Sequence, residues 1–283
     1  MFKSSLVLEG GAMRGIFTAG VLDYLMEQHV EFEYVIGDSA GAGNAINFVA
    51  GQIGRTRDCI VVDDPKLRYI HMSPKHLLTG KVFDMDLLTR KYALLYVPFD
   101  FHAFFDSPVN CEIVVTDART GKARYLTERE DRKRLLTICA ASCSMPLINE
   151  MVKVDGRISI DGGIADFVPL HRAEEMGYRK HVVVLTRPAG YRKENRHKMD
   201  FFYRKKYRAY PKLIETLTSR EQRYNDMMDE LDRREEDGEI FVIRPKGPVV
   251  EHTEQDREKL LDFYKQGRDI MEERFDELMA YLA

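Results

Sequence analysis

No stretch of this 283-residue chain approaches the roughly 18 consecutive apolar residues of a membrane-spanning helix. The first apolar run, Leu6 to Leu8, is followed at once by glycines and is too short for the core of a secretory signal. A charge excess is also lacking. The 43 Lys and Arg stand against 46 Asp and Glu, a formal net charge of −3, which removes the global electrostatic case for a nucleic-acid partner. There is no CxxC pair, and Cys59, Cys111, Cys139 and Cys143 show neither a disulfide framework nor zinc-like spacing. Cys139 and Cys143, at i and i+4, read as small buried residues rather than half a metal site, so no metal is expected. No Gly/Pro-rich or single-residue tract interrupts an ordinary globular composition. These absences leave a cytoplasmic protein with one large α/β domain or two small ones.

The order of elements chooses between those two. Ser5 to Leu8 reads as a short strand, Gly15 to His29 as a helix with Ile16, Val21, Leu22 and Leu25 at helical spacing. Tyr34 to Ile36 reads as a second strand and Gly41 to Val49 as a small-residue helix. This βαβα order predicts a mainly parallel sheet in an α/β/α sandwich, with ligands beyond the carboxyl ends of the strands. "CEIVVTDA" (111–118) adds a strand and "RLLTICAASCSM" (134–145) a helix ended by Pro146. "MVKVDGRISIDGG" reads as a hairpin turning at Asp155-Gly156, which delivers Asp161 to a strand end. "HVVVLTRP" (181–188) and "EIFVIRP" (239–245) read as further strands, the last one returning to the same sheet. A single domain over 1–283 follows: a core at 5–190, a basic helical excursion at 191–238, and a returning strand with a C-terminal amphipathic helix from Thr253 to Ala283.

From Arg192 to Lys212, nine basic residues stand against Glu194 and Asp200, interleaved with Phe201, Phe202, Tyr203, Tyr207 and Tyr210. Such a segment fits either a solvated helical excursion whose aromatics pack inward or a peripheral contact with an anionic membrane.

Two glycine turns close the first two strands. "LEGGAMRG" places Gly10, Ala12 and Gly15 near the spacing of a dinucleotide fingerprint, and Asp38 stands where a ribose-binding acid would. A nucleotide- or dinucleotide-binding protein is therefore the alternative, weakened by alanine at the middle glycine position. Residues 37–41 also read as G-x-S-x-G, with Ser39 at a tight strand-to-helix corner between Gly37 and Gly41. A Ser N-cap would look the same. The "GGAMRG" loop would bring free backbone N–H groups to the neighbouring strand end, as acyl transfer requires, with Arg14 adding positive charge or pairing with a surface carboxylate. A nucleophilic serine needs a base. Of the histidines after Asp161, namely His171, His181, His197 and His252, none follows a clear strand end except His171, which sits at a helix start. Asp161, followed by Gly162 and Gly163, is better placed.

A glycine loop with a basic residue, a G-x-S-x-G corner and a later D-G-G box, in that order, resemble the patatin-like phospholipase family of lipid acyl hydrolases. "ASCSMPLI", "DGGIADFVPL" and "EIFVIRP" resemble its connecting and C-terminal segments. The resemblance implies a Ser-Asp dyad of Ser39 and Asp161, with no histidine, metal or cofactor. It implies an oxyanion hole at Gly10, Gly11, Ala12 and Ala40, supported by Arg14, Gly15, Gly37, Gly41, Gly162 and Gly163, and a lipid or other ester as substrate. The chain departs from the family at Ala12, where glycine is usual and a negative φ would make alanine tolerable, and at Asp38, whose charge would disfavour an alkoxide at Ser39.

Overall fold

The computed structural model describes residues 1–71, 73–79, 82–194 and 199–283. One sheet organises it: β1 (Phe2–Leu8), β2 (Phe32–Asp38), β3 (Asn110–Asp117), β4 (Ala123–Leu126), β5 (Val152–Val154), β6 (Arg157–Asp161), β7 (His181–Val184) and β8 (Phe241–Ile243). The order is β5-β6-β3-β2-β1-β7-β8, with β4 paired to β3. The pairs among β3, β2, β1, β7 and β8 are parallel, whereas β4, β6 and the β5–β6 hairpin run antiparallel. The hairpin turns where expected, with Asp155 and Gly156 both at positive φ (51° and 78°), as a tight two-residue turn demands.

The central strands are buried on both faces, as a parallel sheet covered by helices must be. Leu6, Leu8, Val35, Val182, Val184 and Ile243 join the larger apolar cluster on one face. Val7, Tyr34, Ile36, Val183 and Val242 join Phe167, Tyr224 and Met228 on the other. The two-residue alternation of each strand thus feeds two cores and gives three layers.

The predicted return of the chain holds, since β8 pairs with β7 in parallel register, Val183 opposite Val242. The predicted C-terminal helix is two, Arg257–Glu273 and Phe275–Leu282, broken at Arg274, whose guanidinium turns inward to donate to the Val242 carbonyl at 2.6 Å. The first of these packs on α1 (Gly15–Glu27). A Cβ at Gly20 would stand 2.0 Å from the Tyr264 carbonyl, and one at Gly267 2.1 Å from the Phe17 carbonyl, so the two backbones meet at reciprocal glycines. An eleven-residue π-helix spans Asp86–Tyr96.

Candidate active site

Register puts the two glycine turns side by side. Leu8 pairs with Gly37, so the loop after β1 and the corner after β2 leave the same sheet edge together. At that corner Ser39 adopts φ 51° and ψ −121° before α2 (Ala40–Val49) begins. A non-glycine residue in this region costs on the order of 1–3 kcal/mol and persists only where neighbours hold it. Two devices do so here. A Cβ at Gly41 would come 2.3 Å from the Leu8 carbonyl, so only glycine lets α2 start this close to β1. The Ser39 amide also donates to Ser142 Oγ at 2.8 Å, and that hydroxyl donates to the Val114 carbonyl at 2.7 Å. The Ser39 side chain makes no cap bond to α2, which removes the N-cap explanation.

Asp161 ends β6, beside Val115 of β3. Its Oδ1 accepts from the Gly163 N–H at 2.9 Å, its carbonyl from Thr116 Oγ1 at 2.8 Å, and its own N–H donates to the Ser144 carbonyl at 3.0 Å. Ser39 and this carboxylate border the same cleft, and the Ser39 side chain is among the groups that lower the carboxyl's pKa. Burial pushes the Asp161 carboxyl up to about 6, while Ser39, the charges of Arg220 and Lys193, and the Gly163 N–H pull it down. The end of the helix Arg132–Ser142 and the turn after it therefore serve both residues, Ser142 pinning Ser39 and Ser144 pinning Asp161. Cys143 lies between them in sequence, and its thiol is pushed up by burial and then by Asp161.

Asp38 corrects two expectations. It is 2% exposed, and its Oδ1 accepts from the Gly10 N–H at 2.9 Å. Its other oxygen fills the space where a Cβ at Gly10 or Gly163 would stand, so it ties the glycine loop to the Asp-Gly-Gly box. A carboxylate spent in this way does not present itself to a ribose. Burial first, then the Asp161 charge, hold Asp38 well above the ordinary carboxylate range, which disfavours a negative charge beside Ser39.

The same bond takes Gly10 out of the expected donor set. Among the described residues, the Gly11 and Ala12 amides make no such bond, and the Ala40 amide opens α2, where helix N–H groups lack internal partners. Ala12 stands at φ 51°, not the negative value that would suit alanine, so the loop is strained at its middle. Arg14 does not pair with a surface carboxylate either. It is 5% exposed, donates from Nη2 to His252 Nε2 at 2.9 Å, and leaves Nε and Nη1 without a partner.

Two cavities meet at this corner. An apolar one of about 140 Å³ is lined by Ile46, Ile60, Tyr69, Leu136 and Cys139 among others. A polar cleft of about 590 Å³ is lined by Asp161, Arg187, Lys193, Arg220 and His252 among others. Ala12, Ser39 and Met145 border both. The other histidines stand elsewhere: His181 is buried against Ser5 Oγ and His171 pairs with Glu230 at the surface. His197 lies outside the described residues, as do Arg196 and Lys198 of the basic segment.

In the rest of that segment the aromatics divide. Tyr207 is buried and Tyr203 and Tyr210 pack beside it, whereas Phe201 and Phe202 on the helix Asp200–Lys206 are 67% and 52% exposed, next to Arg204, Lys205 and Lys206. Arg192 is held by Asp229 and Asp232. No helix among the described residues is long and apolar enough to cross a membrane, and none of their His, Cys, Asp and Glu side chains gather in threes to hold a metal.

A family model described as patatin-like phospholipase matches residues 6–174, and one described as a domain of unknown function matches residues 210–283. The uncharacterized protein YjjU of Escherichia coli (strain K12) is 30% identical over 200 residues, 66% of this chain. The match takes in 53% of YjjU, so the chain spans about half the length of that relative. In three dimensions the chain is similar to VipD from Legionella pneumophila, with a TM-score of 0.51 at 14% identity, over 98% of this chain and 67% of that one, a likeness of fold.

Proposed function

The chain belongs to the patatin-like phospholipase family, and from that premise we propose that it is a serine hydrolase of carboxylic esters, a lipid acyl hydrolase of phospholipase A type. The observation that carries this reading is the place of Ser39, at the junction of an apolar cavity and a polar cleft that Asp161 also lines. An ester of an acyl chain with a polar head matches that division, the chain in one cavity and the head in the other.

In this mechanism Ser39 Oγ attacks the acyl carbonyl carbon as Asp161 takes its proton. The oxyanion of the tetrahedral intermediate accepts from the amides of Gly11, Ala12 and Ala40, each worth about 3–4 kcal/mol of transition-state stabilisation. Collapse breaks the ester C–O bond, and Asp161 returns the proton to the departing alcohol. Water then enters, gives its proton to Asp161 and attacks the acyl-enzyme, and release of the fatty acid restores the Ser39 hydroxyl. A carboxyl near 6 is mostly ionised at neutral pH yet basic enough for this work.

Labelling by a fluorophosphonate, with peptide mapping, tests nucleophile and reaction class together. The label is expected on Ser39, and Ser39→Ala and Asp161→Asn are each expected to lower hydrolysis of a short-chain aryl ester at least about a thousandfold. Full turnover in Ser39→Ala overturns the assignment. We also keep, as part of this reading, a peripheral contact with anionic lipid through Phe201, Phe202 and the basic turn after them. Neutralising Arg204, Lys205 and Lys206 is expected to reduce co-sedimentation with anionic vesicles, and unchanged binding rejects the contact.

A further inference from the structure

The polar cleft contains more positive charge than ester hydrolysis requires. Arg14, Arg187, Lys193 and Arg220 all border it, and three of the four lie beyond residue 174, where the patatin match ends. They converge on one point: His252 is pushed down to about 3 by burial, and then by Arg14, Arg187, Arg220 and Lys193, all in the same direction. Cations held together in a protein are normally paired. Among the described residues, Arg14, Arg187 and Lys193 make no ion pair, and Arg220 donates only to the Gly163 carbonyl, at 3.3 Å.

Other groups hold the cations in place without neutralising them. Lys193 Nζ stands 3.7 Å from the centre of the Tyr224 ring and 4.8 Å from that of Phe167, Arg220 lies over Phe167, and Arg187 lies over Tyr191. One buried acid of the lining, Glu9, is engaged elsewhere: Oε2 accepts from Thr186 N and Oγ1, and Oε1 from the Tyr224 hydroxyl. Asp38 and Asp161 at the Ser39 corner, Glu221 beside Lys193, and Glu194 and Glu251 at the exposed rim are the other acids that line the cleft. Arg14 is the decisive residue, 95% buried at the wall of a cleft that Ser39 also borders, with its Nε and Nη1 buried and unpartnered.

We propose that this cleft is a phosphate-monoester site, formed by Arg14, Arg187, Lys193 and Arg220, which selects ester substrates with a dianionic phosphoryl head group. Guanidinium forks match phosphate oxygens in geometry, and a dianion offers enough charge and acceptors for several cations. A phosphocholine head has one phosphoryl charge and an added ammonium that these cations repel. The charged form of Lys193, disfavoured by burial and then by Arg220, is favoured when the dianion arrives. The inference rests on the hydrolase reading for the place of the scissile ester, though anion binding by the cleft can be measured without hydrolysis.

The test uses the full chain and ether lipids that cannot be hydrolysed: a dihexyl ether of glycerol 3-phosphate and the matching glycerophosphocholine, titrated by calorimetry. The phosphate monoester is expected to bind at least about tenfold more tightly, the size of one charge-assisted hydrogen bond. Arg187→Gln and Lys193→Met are each expected to weaken its binding about tenfold and to narrow the gap between the two lipids, with Arg187→Lys recovering part of the loss. Unchanged melting temperatures separate lost contacts from lost fold. Equal affinity for both lipids in the wild type, or unaltered affinity in both neutral variants, overturns the site. Inorganic phosphate titrated alone distinguishes the source: binding as tight as the lipid's assigns the site to free phosphate and overturns the head-group role. Aryl-ester turnover measured in parallel keeps the two readings apart. Its absence beside an intact head-group preference defeats the hydrolase reading alone, and its presence without any preference defeats this one alone.

Discussion

Ser142 Oγ accepts the Ser39 amide at 2.8 Å and donates its own hydrogen to the Val114 carbonyl at 2.7 Å, linking the strained corner to the central strand β3. The Ser39 N–H is therefore not an oxyanion donor, and the corner depends on a residue 103 positions away. Ser142→Ala leaves a buried N–H and a buried carbonyl short of a partner. A loss of about 1–3 kcal/mol is expected in urea unfolding, with a drop in kcat larger than any change in KM, because the nucleophile's geometry suffers more than substrate contact. Unaltered stability and turnover would show that the glycines alone hold the corner.

The rate should follow the ionisation of Asp161. As the base, it must be ionised, so kcat/KM is expected to rise with pH through an acid limb at about 6 and then level off. Arg220 lowers that value by its charge, so Arg220→Met moves the limb upward. A pH–rate profile of both proteins on a neutral aryl ester checks the position and the direction.

Asp38 links pH to stability in the opposite sense from an ion-paired carboxylate. Its folded pKa is raised, so above the unfolded value of about 3.9 the unfolded chain releases a proton that the folded chain keeps. Stability drains away by up to about 1.4 kcal/mol per pH unit until the folded pKa is reached. Asp38→Asn keeps an oxygen acceptor for the Gly10 N–H and removes this penalty. Its melting temperature relative to wild type is expected to climb between pH 4 and pH 7. A constant difference would show that Asp38 titrates alike in both states.

The apolar cavity can be shortened from α2. Gly43 borders it, and a Cβ built there meets nothing within 4 Å. Gly43→Leu is expected to move the preferred acyl length downward, raising KM for decanoyl over butyryl esters. Helix propensity adds up to about 1 kcal/mol of stability relative to glycine. A chain-length series with thermal melts reads both effects.

Gly267 offers the contrast, because a Cβ there would stand 2.1 Å from the Phe17 carbonyl. Gly267→Val is expected to cost about 1–3 kcal/mol or more by forcing the C-terminal helix off α1. Denaturant unfolding measures the loss, and a wild-type midpoint would mean that the two helices separate without penalty.

How much of this was legible in the sequence depends on range. The strand after Met1, the Asp155-Gly156 turn, the corner at Ser39 and the order of the three motifs all rest on neighbours in the chain. The periodicity and turn chemistry of those stretches suffice to read them. Elements 28 to 238 residues apart bring the remaining features together, and no local pattern encodes them. Asp38 read as a ribose ligand or a hindrance to an alkoxide until its bond to Gly10 and its place beside Asp161 became visible. Ala12 and Gly10 read as equivalent loop positions, but one is strained and the other is spent. Arg187, Lys193, Arg220 and His252 carry no shared motif and meet only because β7 lies beside β1 and the helix Arg220–Glu236 covers the other face. The sequence by itself determined the layered sheet, since alternation, glycine placement and turn type act over a few residues, and the family its motifs resemble singled out Ser39 and Asp161. Only the tertiary structure decided which amides stay free, which carboxyl keeps its proton and where the positive charge gathers, because burial and long-range charge exist only once distant segments have packed together.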